Sequence, residues 1–81
     1  MFFQKKTHKV LENIIQRLRL NAENNYRDAT LQDLSELERQ FEELCAEGRL
    51  NAAQKTRYSG LISRFKTEFK GFTHKEQTAK W

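Results

Sequence analysis

The side chains that could do acid–base or metal chemistry are few in this sequence, and their spacing does not bring them together. The two histidines, His8 and His74, lie near opposite ends of the chain, and neither is close in sequence to the single cysteine, Cys45. His8 and Glu12 are four positions apart and share a helix face, but a metal site needs further ligands. Catalysis requires several groups positioned around a pocket, and so short a chain leaves little volume for one. We therefore predict that the protein is not an enzyme and holds no metal or cofactor.

A glycine inside the third predicted helix is the clearest sign of a binding surface. Gly60 stands in the stretch KTRYSGLISRFKTEFKGF, residues 55–72, where glycine costs about 0.5–1 kcal/mol relative to alanine. At helical spacing it falls on the side opposite the predicted core, so crowding in the core does not explain it. All residues on that side are small, and we call them the small-residue face: Thr56, Gly60, Ser63 and Thr67.

Three interpretations of the small-residue face stay open at this point. It is an ordinary solvated surface, a surface that a partner helix or a second copy approaches closely, or a contact surface for nucleic-acid phosphates. The nucleic-acid alternative uses the cations that border the face, namely Lys55, Arg57, Arg64, Lys66 and Lys70, and is favoured by an isoelectric point near 9.5. Against it, the sequence shows no convincing helix-turn-helix signature.

Charge is segregated along the chain. Residues 1–27 carry six basic and two acidic side chains, residues 28–48 one basic and seven acidic, and residues 49–81 eight basic and two acidic. The central helix therefore presents an acidic stripe, defined by Asp33, Glu36, Glu43 and Glu47. We expect this stripe to contact Arg57 and Arg64 of the next helix or a basic partner, although the same charges could simply help the helices select their neighbours.

Length and composition indicate one helical domain. The 81 residues include no proline and only three glycines, with 37% apolar and 32% charged side chains, so nothing marks the turns of a β-sheet. No apolar run reaches the roughly 18–20 residues that span a membrane, and the start MFFQKKTHK does not resemble a signal peptide. A lone cysteine makes no internal disulfide, which favours a cytoplasmic setting.

Periodicity and capping signals place three helices. The first is predicted from about Phe3 to Ala22. The second is predicted to begin near Thr30, with Asp33 in a capping box, or with Asp28 as the alternative N-cap, and to end before Gly48. The third begins after a capping box of Asn51 and Gln54. The apolar stripes are Phe3, Val10, Leu11, Ile14, Ile15 and Leu18; Leu34, Leu37, Phe41 and Leu44; and Tyr58, Leu61, Ile62, Phe65, Phe69 and Phe72.

The connections determine the predicted fold. Only two or three residues join the second and third helices, which forces them to lie side by side and antiparallel. We predict a small, all-α, antiparallel three-helix bundle over residues 1–72, in which the first helix packs across this hairpin, followed by a frayed tail over 73–81. The predicted function is a non-enzymatic protein–protein interaction module, such as a regulator, inhibitor or assembly adaptor, that binds a protein partner or itself. The alternative is a small basic regulator that binds nucleic acid.

Overall fold

A computed structural model describes residues 7–70 and contains three α-helices: α1 (Lys9–Glu23), α2 (Arg27–Ala46) and α3 (Ala52–Glu68). α1 packs against α2, and α2 packs against α3, which confirms the all-α three-helix bundle. The predicted start of the first helix near Phe3 is wrong, because Thr7 and His8 are not helical and α1 begins at Lys9 with His8 as its N-cap. Phe3 itself, the last stripe residue Phe72 and the tail 73–81 lie outside the described residues.

The direction of each helix follows from two short turns and from contacts at the ends of the bundle. Each turn reverses the chain, so α2 runs opposite to both of its neighbours. Gln54 Nε2 donates to the Thr7 carbonyl at 2.7 Å near the start of α1 and α3, and Arg19 lies over the Phe65 ring towards their ends. α1 and α3 are therefore parallel, although their Cα atoms do not approach within 8 Å of each other.

Both turns begin with a residue in the left-handed region directly after the helix C-cap. After α2 this residue is Gly48 (φ +71°), as predicted, and its N–H and that of Arg49 donate to the last-turn carbonyls of Cys45 and Leu44. After α1 it is Asn25 (φ +63°), which starts the same hydrogen-bond pattern. Asparagine tolerates this conformation better than most residues with a β-carbon.

The predicted start of α2 at Thr30 is wrong. The helix begins at Arg27 with Tyr26 as N-cap, without a side-chain cap. Thr30 lies one turn inside the helix, fully buried, and its hydroxyl donates to the Tyr26 carbonyl at 2.7 Å. The alternative N-cap Asp28 also lies inside the helix, and the Asp33 carboxylate accepts hydrogen bonds from α1 instead of closing a capping box.

The capping box of α3 is confirmed. The Asn51 side chain accepts from the Gln54 N–H, and the Gln54 side chain accepts from the Asn51 N–H, both at 2.8 Å. Because Gln54 is also buried and donates to the Thr7 carbonyl, this cap fixes the segment that leads into α1.

The core lies between the three apolar stripes. It contains Leu11, Ile14, Ile15, Leu18, Leu34, Leu37, Leu44, Leu50, Tyr58, Ile62, Phe65 and Phe69. Val10 does not belong to it, because its side chain is 42% exposed at the edge of the α1 stripe. Phe41 is half-buried and packs against the core from its margin.

Candidate functional site

The small-residue face lies on the outer side of α3, as predicted. All four of its residues are exposed. Shallow depressions occur along it, one lined by Ala52, Ala53, Thr56 and Arg57 and the other by Ser63, Arg64, Thr67 and Glu68. The face is therefore a long, low strip of surface on which side chains project little from the helix.

Gly60 stands at the middle of this strip without a structural role in the described bundle. A β-carbon added there would meet no atom within 4 Å, so packing does not require glycine. The backbone at Gly60 is helical and not left-handed, so its conformation does not require glycine either.

The cations that border the small-residue face differ in their surroundings. Arg57 donates to Glu12 of α1 at 3.1 Å, and Lys66 donates to Glu38 of α2 at 2.7 Å. In residues 7–70, Lys55 and Arg64 are exposed and form no ion pair. Lys70 is exposed just beyond the end of α3. Two of the five predicted phosphate contacts therefore also tie α3 to the other helices.

A hydrogen-bonded cluster joins the first turn of α1 to the second turn of α3. The Tyr58 hydroxyl donates to Glu12 Oε2 at 2.6 Å and accepts from the His8 N–H at 2.8 Å. Burial raises the pKa of Tyr58, and its bond to Glu12 adds to the increase. The bonds that Arg57 makes with Tyr58 and with Glu12 raise the pKa of Arg57 as well. This cluster holds α1 against α3.

Sequence reasoning missed this cluster because Glu12 was paired with His8 on its own helix. One signal in the sequence could have indicated it. Arg57 is next to Tyr58, which lies on the side of α3 that faces the core, and the simplest partner for an arginine at that position is a glutamate of a neighbouring helix. His8 serves as the N-cap position of α1 and is half-buried.

The acidic stripe of α2 forms no ion pair with Arg57 or Arg64, so the expected contact with α3 is wrong; the alternative, a basic partner, stays a prediction. Asp33 is 7% exposed and accepts hydrogen bonds from Arg17 at 2.9 Å and Asn21 at 2.7 Å, both on α1. The bond to Asp33 raises the pKa of Arg17. Glu36 also pairs with Arg17. The reason is packing: α1, not α3, lies most closely against α2.

The other two members of the stripe are exposed and pair within their own segment. Glu43 pairs with Arg39 one turn earlier at 3.0 Å, and Glu47 lies 3.6 Å from Arg49 in the turn. Half of the predicted acidic surface therefore stabilises the α1–α2 contact, and the other half remains at the surface.

A groove between α1 and α3, which sequence reasoning did not anticipate, opens towards the C-terminal ends of both helices. It encloses about 310 Å³ and is lined by Arg19, Ala22, Glu23, Leu61, Arg64, Phe65, Glu68 and Phe69. Its floor is apolar and its rims are charged. The guanidinium of Arg19 lies 5.8 Å from the centre of the Phe65 ring, within the range of a cation–π contact. We call this cavity the α1/α3 groove.

Within residues 7–70, no three or more histidine, cysteine, aspartate or glutamate side chains form a group suited to holding a metal ion. No helix of that part of the chain combines the length and the apolar character needed to cross a membrane. Cys45 is half-buried against the core. Comparison with models of known protein families, with curated proteins and with solved structures gives no significant match to this chain.

Proposed function

We propose that this chain is a non-enzymatic helical interaction module that binds a helix of a partner protein on the small-residue face of α3. The observation that carries the proposal is Gly60, which lies exposed in the middle of a helix with open space above it. Glycine destabilises a helix interior, and no contact within the described bundle compensates for that loss. A contact with another molecule supplies the missing reason.

The composition of the face suits a helical partner. Small side chains let two helix axes approach closely, and the backbone at Gly60 is then within contact distance of the partner. The hydroxyls of Thr56, Ser63 and Thr67 are exposed beside it and can donate hydrogen bonds across the contact. The bordering Lys55 and Arg64 favour a partner helix with acidic residues at its margins. In line with the single cysteine of the sequence, the setting we propose is the cytoplasm.

The decisive variant is Gly60→Leu, with Ser35→Leu as its matched control. Both positions are exposed and helical, so each variant places the same side chain on the surface of a folded bundle, which circular dichroism verifies. We expect Gly60→Leu to abolish capture of a partner from cell extract that the wild type and Ser35→Leu both retain. If all three proteins capture the same partners, the small-residue face is not the binding surface.

Nucleic-acid binding is the second candidate, and it is favoured by Lys55 and Arg64, which are exposed and unpaired among the residues described. Because Arg57 and Lys66 already contact carboxylates, few cations are available to displace counterions. The affinity for a mixed-sequence duplex should therefore fall with salt along a shallow log–log line, of slope about −0.9 for each phosphate neutralised. Absence of binding at low salt, measured by fluorescence anisotropy, would exclude this candidate.

A further inference from the structure

The charged rims of the α1/α3 groove repeat one motif on both helices. Arg19 and Glu23 on α1 are four positions apart, and so are Arg64 and Glu68 on α3. All four side chains are exposed and line the same cavity. None of them forms an ion pair within residues 7–70, whereas Arg39 and Glu43, at the same spacing on α2, are paired at 3.0 Å. Among the described residues, the groove therefore presents four charges without an ion-pair partner.

The register of the two helices places like charges opposite each other. Glu12 and Arg57, which pair between α1 and α3 about two turns before the groove, are 45 positions apart. The same offset relates Arg19 to Arg64 and Glu23 to Glu68. Because α1 and α3 are parallel, two arginines face each other across the groove, and two glutamates face each other one turn further on. Each like-charged pair is unfavourable in the isolated chain.

We propose that the α1/α3 groove is a self-association surface, occupied by the same groove of a second copy of this chain in an antiparallel arrangement. A two-fold axis that crosses the helices at right angles sets α1 against α1 and α3 against α3 in opposite directions. Each arginine then meets a glutamate of the second copy, and each glutamate meets an arginine. All eight charges of the two grooves are paired in this way.

The charge pattern also rejects the other face-to-face arrangement. A two-fold axis parallel to the helices would set α1 against α3 of the second copy in the same direction, and Arg19 would then face an arginine. The antiparallel contact is centred between Arg19 and Glu23 and between Arg64 and Glu68, so it covers the last turns of both helices. Leu20, 55% exposed, follows Arg19 and lines a neighbouring cavity with Arg19 and Glu23. It adds apolar area to an interface of small size, which is typical of weak and transient association.

The centre of this contact lies more than one turn from Gly60, so the two surfaces can be tested separately, although Arg64 and Glu68 line both the groove and a depression along the small-residue face. Weight-average mass, measured by sedimentation at low salt up to about 1 mM protein, tests the dimer directly. We expect the mass of the wild type to rise from 9.7 kDa towards twice that value with concentration, and to fall back as salt screens the exposed pairs.

Two single reversals give the sharpest test because their mixture restores every α3 pair. Arg64→Glu places two glutamates on the α3 rim, and Glu68→Arg places two arginines there. Each variant alone should remain monomeric, while an equimolar mixture should regain the mass increase of the wild type. Circular dichroism checks that each variant folds, and Arg19→Glu mixed with Glu23→Arg repeats the test on α1. A general attraction between the variants does not explain recovery, since both chains keep a net positive charge.

Lys55→Glu is the control for charge reversal, since Lys55 is an exposed cation of α3 outside the groove, and it should dimerise like the wild type. A wild type that stays monomeric across the whole concentration range would overturn the proposal. Persistent dimers in both single reversals, or a mixture of folded variants that stays monomeric, would overturn it equally. Gly60→Leu should leave the dimer unchanged. The dimer proposal is therefore tested by the mass of the groove variants, and the partner-surface proposal by partner capture with Gly60→Leu.

Discussion

Gly60 has a helical backbone and Gly48 a left-handed one, so we expect substitution of each by alanine to change the stability in opposite directions. Gly60 is helical, exposed and surrounded by open space. We expect Gly60→Ala to raise the free energy of unfolding by about 0.5–1 kcal/mol, because alanine costs less backbone entropy in a helix. Urea denaturation monitored by circular dichroism measures the change.

The matched substitution Gly48→Ala should have the opposite sign. Gly48 adopts φ +71° at the end of α2, where a β-carbon is strained by about 1 kcal/mol. An unfolding free energy that falls in both variants would mean that Gly60 has a structural role inside the bundle, and the argument for a binding surface would lose its basis.

Tyr58 predicts a particular response to alkaline pH. Burial and the bond to Glu12 raise its native pKa above the unfolded value of 10.0, so the native state holds the phenol proton more tightly. The stabilisation is therefore complete below about pH 10 and is lost as the pH rises through the higher native pKa. Tyr58→Phe should be less stable at pH 7 by about 1–3 kcal/mol, because the His8 N–H and Glu12 lose a partner.

The pH dependence distinguishes the hydrogen bonds of the Tyr58 hydroxyl from the packing of its ring. Urea midpoints between pH 7 and 11 should converge for the wild type and Tyr58→Phe, while Tyr26→Phe, at an exposed tyrosine, should follow the wild type throughout. Parallel alkaline curves for the wild type and Tyr58→Phe would contradict the assignment.

The elements themselves were largely predictable, because local signals dominate them. The capping box of Asn51 and Gln54 and the C′ glycine at Gly48 each involve residues close in sequence, and both are confirmed. The start of α2 was not predictable in this way. Thr30 has the side chain of an N-cap, but the turn closed by Asn25 lets the helix begin earlier, and the Thr30 hydroxyl then bonds one turn back inside it.

The partners of the acidic stripe depend on which helix packs against that side of α2, and the sequence does not determine this. The spacing of Asp33 and Glu36 correctly places them on one side of α2, but it does not state whether α1 or α3 covers that side. The structure places Arg17 of α1 there. Similarly, the small-residue face could be derived from α3 alone, whereas the α1/α3 groove required the register between two helices that are distant in sequence.

At the scale of elements, two members of the acidic stripe should contribute differently to the free energy of unfolding. Asp33 is buried and accepts from Arg17 and Asn21, so Asp33→Ala should lower the unfolding free energy by about 1–3 kcal/mol. Glu43 is exposed and pairs with Arg39 on its own helix, so Glu43→Ala should cost no more than about 0.5 kcal/mol. Equal losses in the two variants, measured by urea denaturation, would show that Asp33 does not hold α1 to α2.

Over the whole molecule, the ion pairs between helices are arranged unevenly. Arg17 joins α1 to α2, Lys66 joins α3 to α2, and Glu12 joins α1 to α3 about two turns before the groove. Within residues 7–70, no ion pair joins α1 to α3 across the groove itself. This part of the bundle is also the proposed self-association surface.

This arrangement predicts that the single chain can be stabilised by exchanging two of its charges. The double variant Arg64→Glu/Glu68→Arg sets a glutamate opposite Arg19 and an arginine opposite Glu23, and it also creates the favoured order of charges along α3. At low salt we expect the unfolding free energy of the dilute monomer to rise by about 0.5–1 kcal/mol, and the gain to shrink as salt is added.

The exchange Arg39→Glu/Glu43→Arg is the matched control, because that pair has the same spacing on α2 and similar exposure but no charges across a groove. It should gain only the effect of charge order along a helix, a few tenths of a kcal/mol. If the two exchanges stabilise the monomer equally, the charges of α1 and α3 do not act on each other across the groove. If the exchange on α3 raises the unfolding free energy more than the exchange on α2, and salt reduces the difference, the native charges of the groove make the single chain less stable than it could be. Such a loss is expected where the charges of a surface pair with those of a second copy.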